Sequence, residues 1–186
     1  MLARDARRVA IDTTVVRYFF KAERLPLLIS YLPKAFAFDD VARELRDQAK
    51  SRPKLAAQLS LTKWPEVKTA NLASHHQSEI LRVQAEWRRD DKIKTGRDPG
   101  EKAHLGELVS IFAAADGKAD LLIMDERRGR ALAGTRGLPV LSTPGLAIQM
   151  SADGTISEDD GWLVYSAALS ESRRPEFVRL VEDQRP

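Results

Sequence analysis

The segment Ala119–Asp125, with the sequence ADLLIMD, decides the fold class of this chain. Its four apolar residues follow one another without the alternation of a half-exposed strand, which is typical of a strand buried on both faces of a parallel sheet. An acidic residue ends the run, and the residues from Glu126 to Ala133 have the spacing of a short helix. We therefore expect a buried strand, a carboxylate and a helix in direct succession.

Three further apolar runs extend the same pattern to the rest of the chain. They lie at residues 8–11, 35–38 and 138–142, and helical spacing separates them. Alternation of strands and helices predicts an α/β fold, an open doubly wound parallel sheet with helices on both faces. We expect a strong helix start at Asp98–Glu101, a turn at Thr143–Gly145, and two final helices around 162–169 and 175–181.

The length of 186 residues predicts one domain, residues 1–186. Within it, residues 50–97 are expected to be a helical, basic insertion, with helices at 54–61 and 78–89. The region 43–97 has 13 basic and 7 acidic side chains, a net +6, whereas 151–186 has 4 basic and 8 acidic, a net −4. A polyanionic partner and a solvated helical face both explain such a basic region.

Composition excludes several classes of protein. The chain contains no cysteine, which excludes disulfide scaffolds and thiolate zinc sites. Its apolar runs are all far shorter than the ~18 residues that a membrane-spanning helix needs, so we expect a soluble, cytoplasmic protein without a membrane partner. The glycine-rich patterns of nucleotide-binding loops and the G-x-S-x-G pattern of nucleophile elbows are also missing.

Four acidic residues are candidates for a site at the carboxyl ends of the strands. Asp12 and Asp125 each end a predicted strand, Glu44 lies about one turn into the helix after the second strand, and Glu101 opens the helix before the third. Taken singly, helix capping explains Asp12, Asp125 and Glu101, and an exposed helical position explains Glu44. Taken together, four clustered carboxylates favour a divalent cation, Mg²⁺ or Mn²⁺.

Five phrases of the sequence resemble the PIN-domain ribonucleases. They cover about half of the chain, and the last three resemble a VapC-like branch of toxins that carries a DPGE motif. The phrases are VAIDTT at 9–14, VARE at 41–44, DPGEKA at 98–103, ADLLIMDERRGR at 119–130 and GLPVLSTPGL at 137–146.

The resemblance implies a Mg²⁺- or Mn²⁺-dependent endoribonuclease with RNA as its substrate. The catalytic and metal-binding acids would be Asp12, Glu44, Glu101 and Asp125, supported by Thr14. Many bacterial members are toxins of toxin–antitoxin pairs, so the resemblance also implies a cognate antitoxin protein and a homodimer. Residues 50–97 are longer than the corresponding segment of compact members.

Basic residues near the last acid have two interpretations. Arg128 and Arg130 either contact the RNA backbone or are solvated on a short helix, and Trp87 either stacks on RNA bases or faces the core. Many family members have a further acid at the position of Arg128, and a second metal would lack this carboxylate. The alternative function is therefore a catalytically weak or inactive PIN-like module that binds RNA or protein.

Overall fold

A five-stranded, all-parallel sheet forms the centre of the computed structural model, which describes residues 3–60, 64–67, 74–101, 103–169 and 173–185. The strands lie side by side in the order β3-β2-β1-β4-β5. This confirms the predicted class, an α/β doubly wound parallel sheet. The strands are β1 (Val9–Ile11), β2 (Ala35–Phe38), β3 (Glu66–Val67), β4 (Leu121–Ile123) and β5 (Val140–Leu141).

The three central strands are buried along their whole length, as their uninterrupted apolar sequences predict. In the register of the sheet, Val9 pairs with Ala35 on one side and with Leu121 on the other. Because all the pairings are parallel, the strands end at one edge of the sheet, here called the carboxyl edge. Residues that directly follow β1 and β4 are thereby neighbours.

Helices cover both faces of the sheet, and the residues of each central strand point alternately into one of two hydrophobic clusters. α1–α4 and α8–α10 pack on one face, and α5–α7 pack on the other. None of the described helices is long and apolar enough to cross a membrane. The helices are α1 (Thr13–Lys21), α2 (Leu25–Tyr31), α3 (Asp39–Lys50), α4 (Pro53–Ser60), α5 (Ser74–Thr95), α6 (Leu105–Ala113), α7 (Arg127–Thr135), α8 (Thr143–Ala152), α9 (Glu158–Ala168) and α10 (Arg174–Glu182).

Two predicted boundaries were wrong. α6 begins at Leu105 rather than at Asp98–Glu101, because Gly100 and His104 have positive φ angles of 89° and 64° and a right-handed helix needs negative ones. The expected turn at Thr143–Gly145 is instead the first turn of α8. Its N-cap is Ser142, whose hydroxyl accepts a hydrogen bond from the N–H of Gly145 at 3.2 Å.

The segment 50–97 contains a strand as well as helices. β3 pairs in parallel with β2 at the edge of the sheet, and two residues are too few to show a strand period in sequence. The expected helices at 54–61 and 78–89 correspond to α4 and the longer α5, although residues 61–63 and 68–73 lie outside the described residues. The assignment of residues 1–186 to one domain stays a prediction, and within 151–186 residues 170–172 and 186 are likewise outside the described part.

Candidate active site at the carboxyl edge

Asp12 lies at the carboxyl edge, directly after β1. Its backbone N–H donates to the carbonyl of Ile123 in β4 at 3.0 Å, so it stands next to the end of that strand. Asp12 is also the N-cap of α1. Its Oδ2 accepts bonds from the backbone N–H of Thr14 at 3.2 Å and from the Thr14 hydroxyl, which is the supporting position expected for Thr14. The capping interpretation and the site interpretation of Asp12 are therefore compatible.

Asp125 follows β4 by two residues, and Thr143 holds its carboxylate. The Thr143 N–H donates to Oδ1 at 2.8 Å and the Thr143 hydroxyl donates to Oδ2 at 2.5 Å. Burial raises the pKa of Asp125 above its usual range. The negative charge of Asp12 raises this pKa further, and the bonds from Thr143 oppose the rise. The carboxylate is thus oriented by the start of α8, and it does not cap α7, whose N-cap is Glu126.

Glu44 reaches the same edge from α3. Thr13 Oγ1 donates to Glu44 Oε2 at 2.9 Å, and Gln48 Nε2 donates to Glu44 Oε1 at 3.0 Å. Because Thr13 is the neighbour of Asp12, the carboxylate of Glu44 lies beside the end of β1. An open groove of about 670 Å³ runs along this side of the edge and is lined by Asp40, Arg43, Glu44, Asp47, Gln48, Leu105 and Gly106.

Glu107 is the acid that the sequence interpretation missed. It lies in the first turn of α6, and its Oε1 is buried without a hydrogen-bond partner. Burial, followed by the charges of Glu126 and Asp12, raises the pKa of Glu107 to about 8, whereas the charge of Arg128 and the backbone N–H of Gly129 act in the opposite direction. Asp12 thus acts electrostatically on both Glu107 and Asp125.

Glu101 has a different environment. Its side chain is exposed in the turn before α6, and its described bonds are those of its backbone carbonyl, which accepts from Gln84 Nε2 at 2.9 Å. The structure therefore brings Asp12, Glu44 and Asp125 together with Glu107, and does not bring the side chain of Glu101 into that group. The sequence analysis missed Glu107 because it placed the start of this helix at Asp98–Glu101. The helix α6 begins after His104, and Glu107 therefore lies in its first turn.

The basic and aromatic candidates make contacts within the protein. Arg128 donates to Asp91 Oδ1 at 2.8 Å and is bonded to the carbonyl of Trp87 at 3.4 Å, and Arg130 donates to the main-chain carbonyl of Asp125. Trp87 is 9% exposed and packs in the core cluster of α5–α7. The structure therefore agrees with the interpretation in which Trp87 faces the core.

The acids fit a divalent cation by their chemistry. Carboxylate oxygens are the ligands of Mg²⁺ and Mn²⁺, and Glu107 Oε1 is a buried acceptor without a donor. In the described part of the chain, no three Asp, Glu or His side chains converge closely enough to ligate one ion as they stand. Metal binding by these acids would therefore require movement of their side chains.

An open parallel sheet with carboxylates gathered at its carboxyl edge defines a class of α/β proteins that bind ligands at that edge. A family model described as DUF3368, a PIN domain, matches residues 8–163, and the chain belongs to this family. PIN domains are generally nucleases and generally use divalent metals. Searches of curated proteins and of solved structures found no match to this chain.

Proposed function

We propose that the protein is a Mg²⁺- or Mn²⁺-dependent endoribonuclease that hydrolyses RNA phosphodiester bonds at the carboxyl edge. The observation that carries the proposal is the group of half-buried carboxylates that Asp12, Glu107 and Asp125 form at one edge of the sheet. Burial, with the nearby negative charge of Asp12 as a smaller cause, raises the pKa of Glu107 and of Asp125, and a bound cation would offset both causes.

Each acid has a role that its surroundings suggest. Asp12, Glu107 and Asp125 would hold the ion, with Thr14 and Thr143 fixing two of these carboxylates in orientation. When bound, such an ion lowers the pKa of a coordinated water and stabilises negative charge on phosphate oxygens. Glu44, fixed through both oxygens and facing the groove, is placed to orient a water or to accept its proton.

The C-terminal end of α5 supports RNA as the substrate. Exposed basic side chains cluster there, while Asp91 of the same helical end is bonded to Arg128, three residues after Asp125. A cationic surface next to an acidic centre can hold the phosphate backbone of a single strand. The basic side chains are Arg89, Lys92 and Lys94 of α5 and Arg97 just beyond its end.

The role as a toxin is a narrower proposal. It rests on the likeness of the phrases at 98–103, 119–130 and 137–146 to the VapC-like branch. On this proposal, the protein acts in the cytoplasm, a cognate antitoxin blocks the carboxyl edge, and the protein forms a homodimer. Co-purification of a small protein that stops cleavage would support this proposal. An active nuclease that purifies from its native host without such an inhibitor would oppose it.

A catalytically weak or inactive module that binds RNA or protein is the second candidate. Arg128 favours it, because a cation bonded to Asp91 occupies the position where many family members have a further acid. Such a module would bind RNA or a protein without needing metal and would leave RNA intact.

Cleavage of RNA with added Mn²⁺ separates the two candidates. For the nuclease, we expect cleavage that EDTA stops and that Asp12→Asn lowers at least ~10³-fold, because a required carboxylate is lost. Cleavage that survives Asp12→Asn combined with Asp125→Asn would show that the chemistry lies elsewhere. Metal-independent RNA binding with no cleavage in any metal would favour the binding module.

A further inference from the structure

Asp91, near the end of α5, bonds to two residues that reach toward the acidic site. Its Oδ1 accepts from Arg128 at 2.8 Å, and its Oδ2 is 2.8 Å from Nε2 of His104. The other ring nitrogen of His104, Nδ1, is 3.8 Å from Glu107 Oε2. A polar chain of contacts therefore runs from Asp91 through His104, the N-cap of α6, toward the buried carboxylate of Glu107, and its last contact is longer than a hydrogen bond.

Packing on Trp87 also holds the two partners of Asp91 in place. The His104 ring meets the Trp87 ring edge-on, with ring centroids 5.5 Å apart, and the guanidinium of Arg128 lies 6.0 Å from the Trp87 centroid. Arg128 and His104 are each only about one-fifth to one-quarter exposed. Neither residue is free to move without breaking its bond to Asp91.

We propose that Asp91 is a positioning residue of the acidic site. It holds Arg128 and His104 in place, and through them it fixes the orientation of Glu107 for metal binding. The long helix α5, which the sequence showed only as a basic insertion, thereby becomes part of the active-site architecture. This inference rests on the proposed function, because it assigns Asp91 to the same site.

A purely structural role predicts a different pattern, and α5 contains the means to tell the two apart. Toward its other end, Glu79 of α5 forms a similar link, with Arg136 bonded to its Oε1 at 2.6 Å. That link attaches α5 to the C-terminal end of α7, whereas Arg128 attaches it to the start of α7, and it involves none of the site acids. Glu79→Gln therefore removes an attachment of α5 without touching the chain that leads to Glu107.

The test compares Mn²⁺ affinity, measured by calorimetry without RNA, in the intact protein and its variants. We expect Asp91→Asn to weaken Mn²⁺ binding ~10-fold or more and to lower kcat with little change in the KM for RNA, because residues that orient metal ligands typically contribute this much to affinity. Asp91→Glu should restore part of the affinity, because it keeps a carboxylate at the end of α5. Glu79→Gln should lower the melting temperature and change Mn²⁺ affinity less than ~2-fold. Asp90→Asn, which removes the negative charge next to Asp91, should also change Mn²⁺ affinity less than ~2-fold.

Equal Mn²⁺ affinities in Asp91→Asn and Glu79→Gln would overturn the positioning role. If Asp91→Asn does not fold, His104→Asn serves as the second variant, because Asn tolerates a positive φ and still removes the link to Glu107. Unchanged Mn²⁺ affinity in that variant would likewise overturn the proposal. A loss of Mn²⁺ affinity in Asp91→Asn in a protein that cleaves no RNA would overturn the nuclease and support the positioning role.

Discussion

Carboxylates at two places in this molecule have opposite electrostatic environments. Where the start of α2 meets the first turn of α9, Asp160 accepts bonds from Arg24 Nε at 2.5 Å and from the Ser157 hydroxyl at 2.8 Å, and these bonds lower its pKa. At the carboxyl edge, burial and neighbouring acids raise the pKa of Glu107 and Asp125.

The difference separates an acid in a structural ion pair from the acids proposed for the site. An acid with its own cation stabilises the folded chain, whereas buried acids that share a small space destabilise it until a ligand neutralises them. Capping and strand position alone did not distinguish these cases, since Asp12 is both an N-cap and a member of the acidic group. The neighbouring charges do distinguish Asp160 from Glu107 and Asp125.

RNA cleavage separates Glu107 from Glu101, with an expected loss second only to that of Asp12→Asn. Glu107→Gln should lower metal-dependent RNA cleavage ~10²–10³-fold, because it removes a carboxylate from the acidic group. Glu101→Gln is the matched control, and it should cleave within ~3-fold of the wild type because its side chain is exposed in a turn. Initial rates in Mn²⁺ would measure both variants, and the reverse order would return Glu101 to the site.

The pH dependence of stability in EDTA should expose the raised pKa of Glu107. The folded value of about 8 lies above the ordinary 4.5, so the folded state binds the proton more tightly. Stability should therefore fall as pH rises from about 4.5 to 8, by up to about 5 kcal/mol, and level off above that range. Urea unfolding across this range should show a smaller fall for Glu107→Gln, and equal slopes in both proteins would contradict the shift.

A matched pair of glycines in α7 tests how closely the acidic group is packed. A methyl group at Gly129 would overlap Glu107 Oε1 and come within 2.9 Å of Met124 Cε, whereas one at Gly134 would meet nothing within 4 Å. Gly129→Ala should destabilise the protein by about 1–3 kcal/mol and also weaken Mn²⁺ binding. Gly134→Ala should stabilise it by up to about 1 kcal/mol, since alanine is the better helix former.

The smallest expected effect lies at the ion pair of Asp160. Asp160→Asn should cost about 0.5–1 kcal/mol at pH 7 in urea unfolding. It should leave RNA cleavage unchanged, because α1 leads the chain away from Asp12 before it reaches Arg24, the partner of Asp160. The cost should disappear as pH falls through the lowered pKa of Asp160, where the wild-type residue is neutral as well. A change in cleavage would mean that Asp160 and the acids at the carboxyl edge are coupled.

The sequence predicted the features that local chemistry decides. The runs that became β1, β2 and β4 are apolar throughout, and the rule for parallel strands then placed Asp12 and Asp125 at one edge. The sequence could not place Glu107, because the start of α6 depends on a positive φ at His104, and the modest enrichment of histidine at positive φ is too weak to mark a helix start. The strand β3 was missed because two residues carry no period.

The positive φ of His104 also has a consequence for protein engineering. A left-handed backbone costs a residue with a side chain roughly 1 kcal/mol or more, and glycine would adopt it without strain. A stability-driven redesign would therefore favour glycine at this position and would remove the imidazole that links Asp91 to Glu107. We therefore expect the variant with the greatest folding stability and the variant with the highest Mn²⁺ affinity to carry different residues at position 104.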